Sequence, residues 1–470
     1  MSKRSPKLPS TDERDRRREM TRRGLIKWTL AGAAALGVKP WRAFEVLETV
    51  GGTALAADAA CTPTNRSVHI IAGNGGLAWF QLLWPHNDVA AANNAQFAFH
   101  APGQQTMAAG TDKPLTLGPQ APYKTLDGKK QMTVFMAGRN ETHTQTPASS
   151  SVIATGVSVF AAASVLQATN PTLVPVIAVD NAPFGTAAGA PALARVPGPD
   201  DIVGLFNSAV SRTGGLLEQS TDADLYDASF KAMMSLNAAA RNPGMKRSFT
   251  TGKSAAALLG TNLASRLAIT SDDMTRYGVT AGTPTRLLDI AKTLIVTAKA
   301  FAMGLSNSVV LPALRDDPHG AFNDMNNLTN TVTTLGKILD GFHADLMSKD
   351  DPTCAGGKLG DSYVMSIHGD TPKNPLQRGG WPDGTPGNSN WVYVLGNGML
   401  RTGWFGGIRR DGSVVGWDST TGNDANVAST TTANQAAAAI AYAVAKGDMR
   451  RVNEFYRGAA IGGVVRDVTM

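Results

Sequence analysis

Residues 306–324 read SNSVVLPALRDDPHGAFND, and the fold turns on how this stretch is understood. Val309, Val310 and Leu311 form a short apolar run, which predicts a strand buried within a sheet. Asp316-Asp317-Pro318-His319-Gly320 follows at once. Open α/β sheets bind ligands at the carboxyl ends of their strands. An Asp-x-His there lets one loop offer a carboxylate and an imidazole to one metal ion. The same residues have a local use: His319 bonded to a carbonyl and Asp317 capping the following helix.

Upstream, Thr283-Pro284 has the form of a helix start, a capping side chain and then proline. Leu287, Ile290, Ala291, Leu294, Ala298 and Phe301 recur at steps of three and four, so one face of that helix is apolar. Downstream, Leu328, Val332, Leu335, Leu339, Phe342 and Leu346 predict a second amphipathic helix. Further short strands are expected at 68–72 (VHIIA), 132–137 (MTVFMA), 174–179 (VPVIAV), 362–367 (SYVMSI) and 392–395. Residues 152–166 read as a packed helix, 87–123 as a long surface excursion, 182–305 as mainly helical, and 434–446 as an Ala-rich helix stopped by Gly447. Strands separated by helices predict a three-layer αβα fold on a mainly parallel sheet. The sequence carries no internal repeat, Walker loop, HExxH, zinc knuckle or G-x-S-x-G.

The 470 residues, 43% hydrophobic and 17% charged, describe a globular chain. Residues 1–27 hold ten Lys/Arg and four Asp/Glu. Within them Thr21-Arg22-Arg23-Gly24-Leu25-Ile26-Lys27 has the form of a twin-arginine (Tat) export signal. An apolar stretch at 28–38 and Ala54-Leu55-Ala56, a plausible cleavage site, follow. That stretch is too short for the roughly 30 Å hydrocarbon core, so a membrane span is not expected. The expected organisation is a Tat signal and linker at 1–60 and one α/β domain at 61–470, with a helical insertion around 182–305. Of the net charge of +7, +5 falls in residues 1–60, leaving +2 for the rest. Nucleic-acid binding has no warrant in that balance. Cys61 and Cys354 are either a disulfide tying the mature N-terminus to a loop or two unpaired thiols. Export places the chain in the periplasm or outside the cell, with the Tat translocase as a transient partner.

These pieces resemble a family of Tat-exported bacterial proteins of unknown function, distantly related to the alkaline phosphatase/sulfatase superfamily. The family's Gly-Gly-Asn-Asp-Gly-Leu-Asn-Thr-like stretch is similar to Ala72-Gly73-Asn74-Gly75-Gly76-Leu77-Ala78-Trp79. Its Ser-His is similar to Thr142-His143, and its Asp-Thr-His to Asp317-Pro318-His319. Its Ser-Glu-Phe-Gly-Arg-Thr-Pro is similar to Ser366-Ile367-His368-Gly369-Asp370-Thr371-Pro372, and its Gly-rich Asp-His segment falls on residues 383–390. The resemblance implies an alkaline-phosphatase-like sheet and a site for divalent metal (Zn, Mn or Ca). The metal candidates are Asp317, His319, His368 and Asp370, with Asp383 as a substitute. Asn74 and His143 are candidates for binding contacts. Key positions depart from the pattern: Gly75 replaces an acid, Trp79 a hydroxyl, Ile367 and Asp370 a Glu and an Arg, and Thr385-Pro386 an Asp-His. No catalytic residue is assigned. The expectation is an exported binding or accessory protein with a degraded metal site and a periplasmic protein partner. The alternative is a metal-dependent hydrolase of phosphate or sulfate esters.

Overall fold

The computed structural model describes residues 65–72, 76–91, 104–124, 130–139, 151–168, 172–210, 263–354, 356–369, 373–374, 376–383, 387–409 and 411–466. They belong to one compact unit, Cys61–Ser211 with Asn262–Met470. Its main sheet has eight strands: β1 (Arg66–Ile71), β2 (Met132–Met136), β3 (Val176–Val179), β4 (Leu193–Val196), β5 (Ser308–Pro312), β6 (Tyr363–His368), β7 (Trp391–Leu395) and β8 (Gly403–Phe405). They lie in the order β8-β2-β7-β6-β1-β5-β3-β4. Every neighbouring pair is parallel except β6–β7 and β7–β2, so β7 alone runs against the others.

The central strands are apolar on both faces, as a sheet covered on both sides requires. Val176, Ala178, Val310, Val364, Val392 and Val394 face one apolar layer with Ile71 and Phe135. That layer is closed by α2 (Val159–Gln167) and α6 (Ser429–Val444), whose alanines let the two helices approach closely. The alternate residues Ile177, Val309, Leu311, Ile367 and Tyr393 are equally buried and point to the opposite face. There α1 (Leu77–Leu83), α3 (Pro199–Val210), α4 (Thr285–Ala302) and α5 (Met325–Ser348) form the third layer. The six periodic residues of α5, Leu328 to Leu346, are all fully buried. Its start is fixed by Asp324, whose carboxylate accepts from Asn326 N at 3.1 Å and Asn327 N at 3.0 Å.

Four local expectations need correction. Residues 152–166 do not form one helix: Val152–Ala154 and Val157–Ser158 pair as a hairpin about Gly156 (φ +74°), and α2 begins only after Ser158, whose Oγ accepts from Phe160 N. A small-residue run carries no period that separates these cases. The stretch 182–305, expected to be mainly helical, also carries an unexpected edge strand, β4 at Leu193–Val196, too short to register as an apolar run. The stretch 87–123 includes a helix (Asn87–Ala91) and a hairpin of Thr106–Met107 with Thr116–Leu117, and it buries Leu115, Leu117, Ala121 and Tyr123. Thr283 does not cap α4. Pro284 holds the cap position without a side-chain bond, and Thr283 Oγ1 accepts instead from Thr280 N at 2.9 Å. Among the described residues no helix is long and apolar enough to cross a membrane.

Candidate functional site

Register brings Ile71, Pro312 and His368 level at the ends of β1, β5 and β6. The loops that leave them therefore start along one rim of the sheet. Beyond β5, Pro318 begins a short 3₁₀ helix, Pro318–Asn323, and Asp317 caps it by accepting from His319 N at 3.3 Å. The same carboxylate oxygen, Oδ1, accepts from His319 Nδ1 at 2.5 Å.

The loop after β6 supplies the rest. Lys373, with φ +43° and a fully buried side chain, sends its ammonium into the Asp317–His319 pair. Its Nζ lies 2.8 Å from His319 Nδ1, 3.0 Å from His319 Nε2, 3.1 Å from Asp317 Oδ1 and 2.5 Å from Asp383 Oδ1. Asp383 Oδ1 is 3.7 Å from His319 Nε2. The cluster is thus two carboxylates and an imidazole arranged about an ammonium. Burial alone would push the Asp317 carboxyl up, but hydrogen bonds from Lys373 and His319 outweigh it and hold that group below its usual value. Beside it Phe322 packs edge-on against Trp381 with ring centroids 4.8 Å apart, and the Arg378 guanidinium lies over the Phe322 ring at 4.9 Å.

His368 is placed elsewhere. Its side chain is fully buried on the face of β6 covered by α2, with its ring edge-on to Phe160 at 4.8 Å. Ser366 Oγ sits between two imidazoles, 2.7 Å from His368 Nε2 and 2.7 Å from His69 Nδ1. Burial, and then the neighbouring His368, lower the His69 pKa from 6.5 to about 3, so the His69 imidazole is neutral inside the core. Trp79, at the position where the family pattern has a hydroxyl, lies in α1 and is 4% exposed. Asn74, His143, Asp370 and Cys61 lie outside the described residues. Cys354 is disulfide-bonded.

The candidates therefore divide. Asp317, His319 and Asp383 meet, whereas His368 belongs to the core layer beneath α2. Lys373, which sequence reasoning passed over, is the centre of the cluster. Nothing in its neighbourhood sets it apart from an ordinary loop lysine, since the left-handed backbone that turns it inward is a property of the folded loop. Among the described residues no three His, Cys, Asp or Glu side chains are placed to hold a metal ion. The donors that do converge are already bridged by a cation. A dication needs bonds of about 2.0–2.2 Å to the same atoms, and an ammonium in their midst would repel it. The residues present do not fit the metal that the resemblance implies.

No known family, curated protein or solved structure matches the chain.

Proposed function

We propose that the chain is an exported protein of alkaline-phosphatase-like ancestry that acts by binding, as an accessory to a periplasmic partner, and does not hydrolyse esters. The observation that carries this reading is the Lys373 ammonium between Asp317, His319 and Asp383. Metal-assisted hydrolysis needs a Lewis acid to polarise the ester and to lower the pKa of an attacking water. An ammonium supplies a fixed positive charge but no open coordination position. The buried Trp79 supports the same reading, because an activated hydroxyl would be needed where its indole packs.

The test is elemental analysis of the full chain, folded in the cytoplasm and purified without chelator, combined with turnover of aryl phosphate and aryl sulfate esters. The expected result is no divalent or transition metal near one equivalent and no turnover above buffer. Near-stoichiometric metal that disappears together with turnover in Asp317→Ala and His319→Ala would overturn the proposal. Crosslinking in the periplasm, followed by capture of the tagged chain, identifies the partner.

A further inference from the structure

β1 starts at Arg66, and the chain between α5 and β6 is tied to that residue by a buried ion pair. The Arg66 guanidinium, 1% exposed at the side chain, donates to the Asp351 carboxylate, 0% exposed, at 3.0 and 3.1 Å. Such a forked pair fixes geometry as well as charge. The turn after Asp351 is built on the same residue. Its Oδ1 accepts from Thr353 N at 2.8 Å and from Thr353 Oγ1 at 2.7 Å, and its carbonyl oxygen accepts from Cys354 N at 3.0 Å. Asp351 N in turn donates to Gly357 O at 2.9 Å, and Gly357 N to Cys354 O at 3.0 Å. These bonds use the backbone, Thr353 and Asp351, so the turn that presents Cys354 needs nothing from its sulfur to form.

Cys354 is disulfide-bonded, and Cys61 is the one other cysteine in the 470 residues. Cys61 precedes Arg66 by five residues, a length of chain that reaches at most about 18 Å. A bond between the two cysteines therefore fastens the chain entering β1 to the turn that Asp351 already holds. The two ties differ in what they need. The ion pair is complete once β1 and that turn have packed. The disulfide needs two thiols to lose two electrons and two protons to the disulfide of an exported thiol oxidant, which leaves as a dithiol. A reducing cytoplasm withholds that step.

We propose that Cys61 and Cys354 form a redox-dependent clasp on the entry to β1, open while the chain folds in a reducing compartment and closed by thiol–disulfide exchange in an oxidising one, with Arg66 and Asp351 holding the junction in both states. The bond encloses about 290 residues, and cross-linking so long a loop removes much of the freedom of the unfolded chain. The clasp is separate from the Lys373 cluster and does not depend on how that cluster functions.

The full chain, made once in a reducing and once in an oxidising compartment, tests it. Denatured and alkylated without reductant, the first should show two free thiols and the second none, with the Cys61 and Cys354 peptides joined in a non-reducing digest. Both forms should give the same circular dichroism. Reductant should lower the Tm of the oxidised form alone, by roughly 3–10 °C. Cys354→Ser should melt with the reduced parent and ignore the reductant. The proposal is overturned if the oxidised chain keeps two thiols or is bonded to a second copy, if reduction unfolds the protein, or if reduction leaves the Tm unchanged.

Discussion

At the scale of single residues, the rim cluster depends on one side chain. Asp317 and Asp383 are 47% and 30% exposed at the side chain, whereas Lys373 is fully buried and reaches both. Replacing Lys373 by Ala removes the bridging cation and leaves the two carboxylates without it. The expected outcome is a variant less stable by about 1–3 kcal/mol, through loss of hydrogen bonds to charged groups; urea unfolding of both proteins checks it. An unchanged midpoint would mean that Lys373 does not hold the cluster together. The Asp-x-His was legible because strand, proline and spacing all point to one place. Lys373 was not, because its role comes from a backbone turn that Lys tolerates poorly and no short-range pattern announces. His368 misleads for a related reason: it ends a strand as a rim ligand would, but strand alternation turns it onto the same face as Ser366 and Val364.

At the scale of elements, long periodic segments are legible in the sequence and short ones are not. The apolar stripe of α5 was plain over several turns, and the structure buries all of it. The strands β4 and β8, four and three residues long, lack enough alternation to stand out, and they are recruited by neighbours already in place. Two helix glycines show how context decides element stability. Alanine normally favours a helix interior over glycine by about 0.5–1 kcal/mol. In α3, Gly204 has open space where a Cβ would go, so Gly204→Ala should stabilise by about that amount. In α5, a Cβ on Gly336 would lie 2.2 Å from the carbonyl oxygen of Gln120. Gly336→Ala should therefore destabilise by about 1–3 kcal/mol through overpacking. Denaturant midpoints of the two variants should move in opposite directions.

At the scale of the whole molecule, buried imidazoles set the acid limit. Burial holds His69 at about 3 and His86 at about 4, both below the 6.5 of an unfolded histidine. These folded values are depressed, so unfolding takes up protons once the pH drops below about 6.5. Stability should be level above about pH 7 and then fall toward pH 4. With both histidines involved the slope approaches about 2.7 kcal/mol per pH unit. Unfolding in urea at pH 7.5, 6.0 and 5.0 measures it, and His69→Gln should reduce the slope. A flat profile across that range would mean that the two imidazoles are already charged in the folded chain. A second loss follows at lower pH, where Asp351 gives up its bidentate pair with the buried Arg66, at 3.0 and 3.1 Å.

The ammonium at the rim has one more consequence. A bound dication can be stripped by EDTA, exchanged for a competitor or withheld during scarcity. A charge attached to the polypeptide by four methylenes suffers none of these, so this corner of the molecule is complete as soon as the chain has folded, whatever the mineral supply around it.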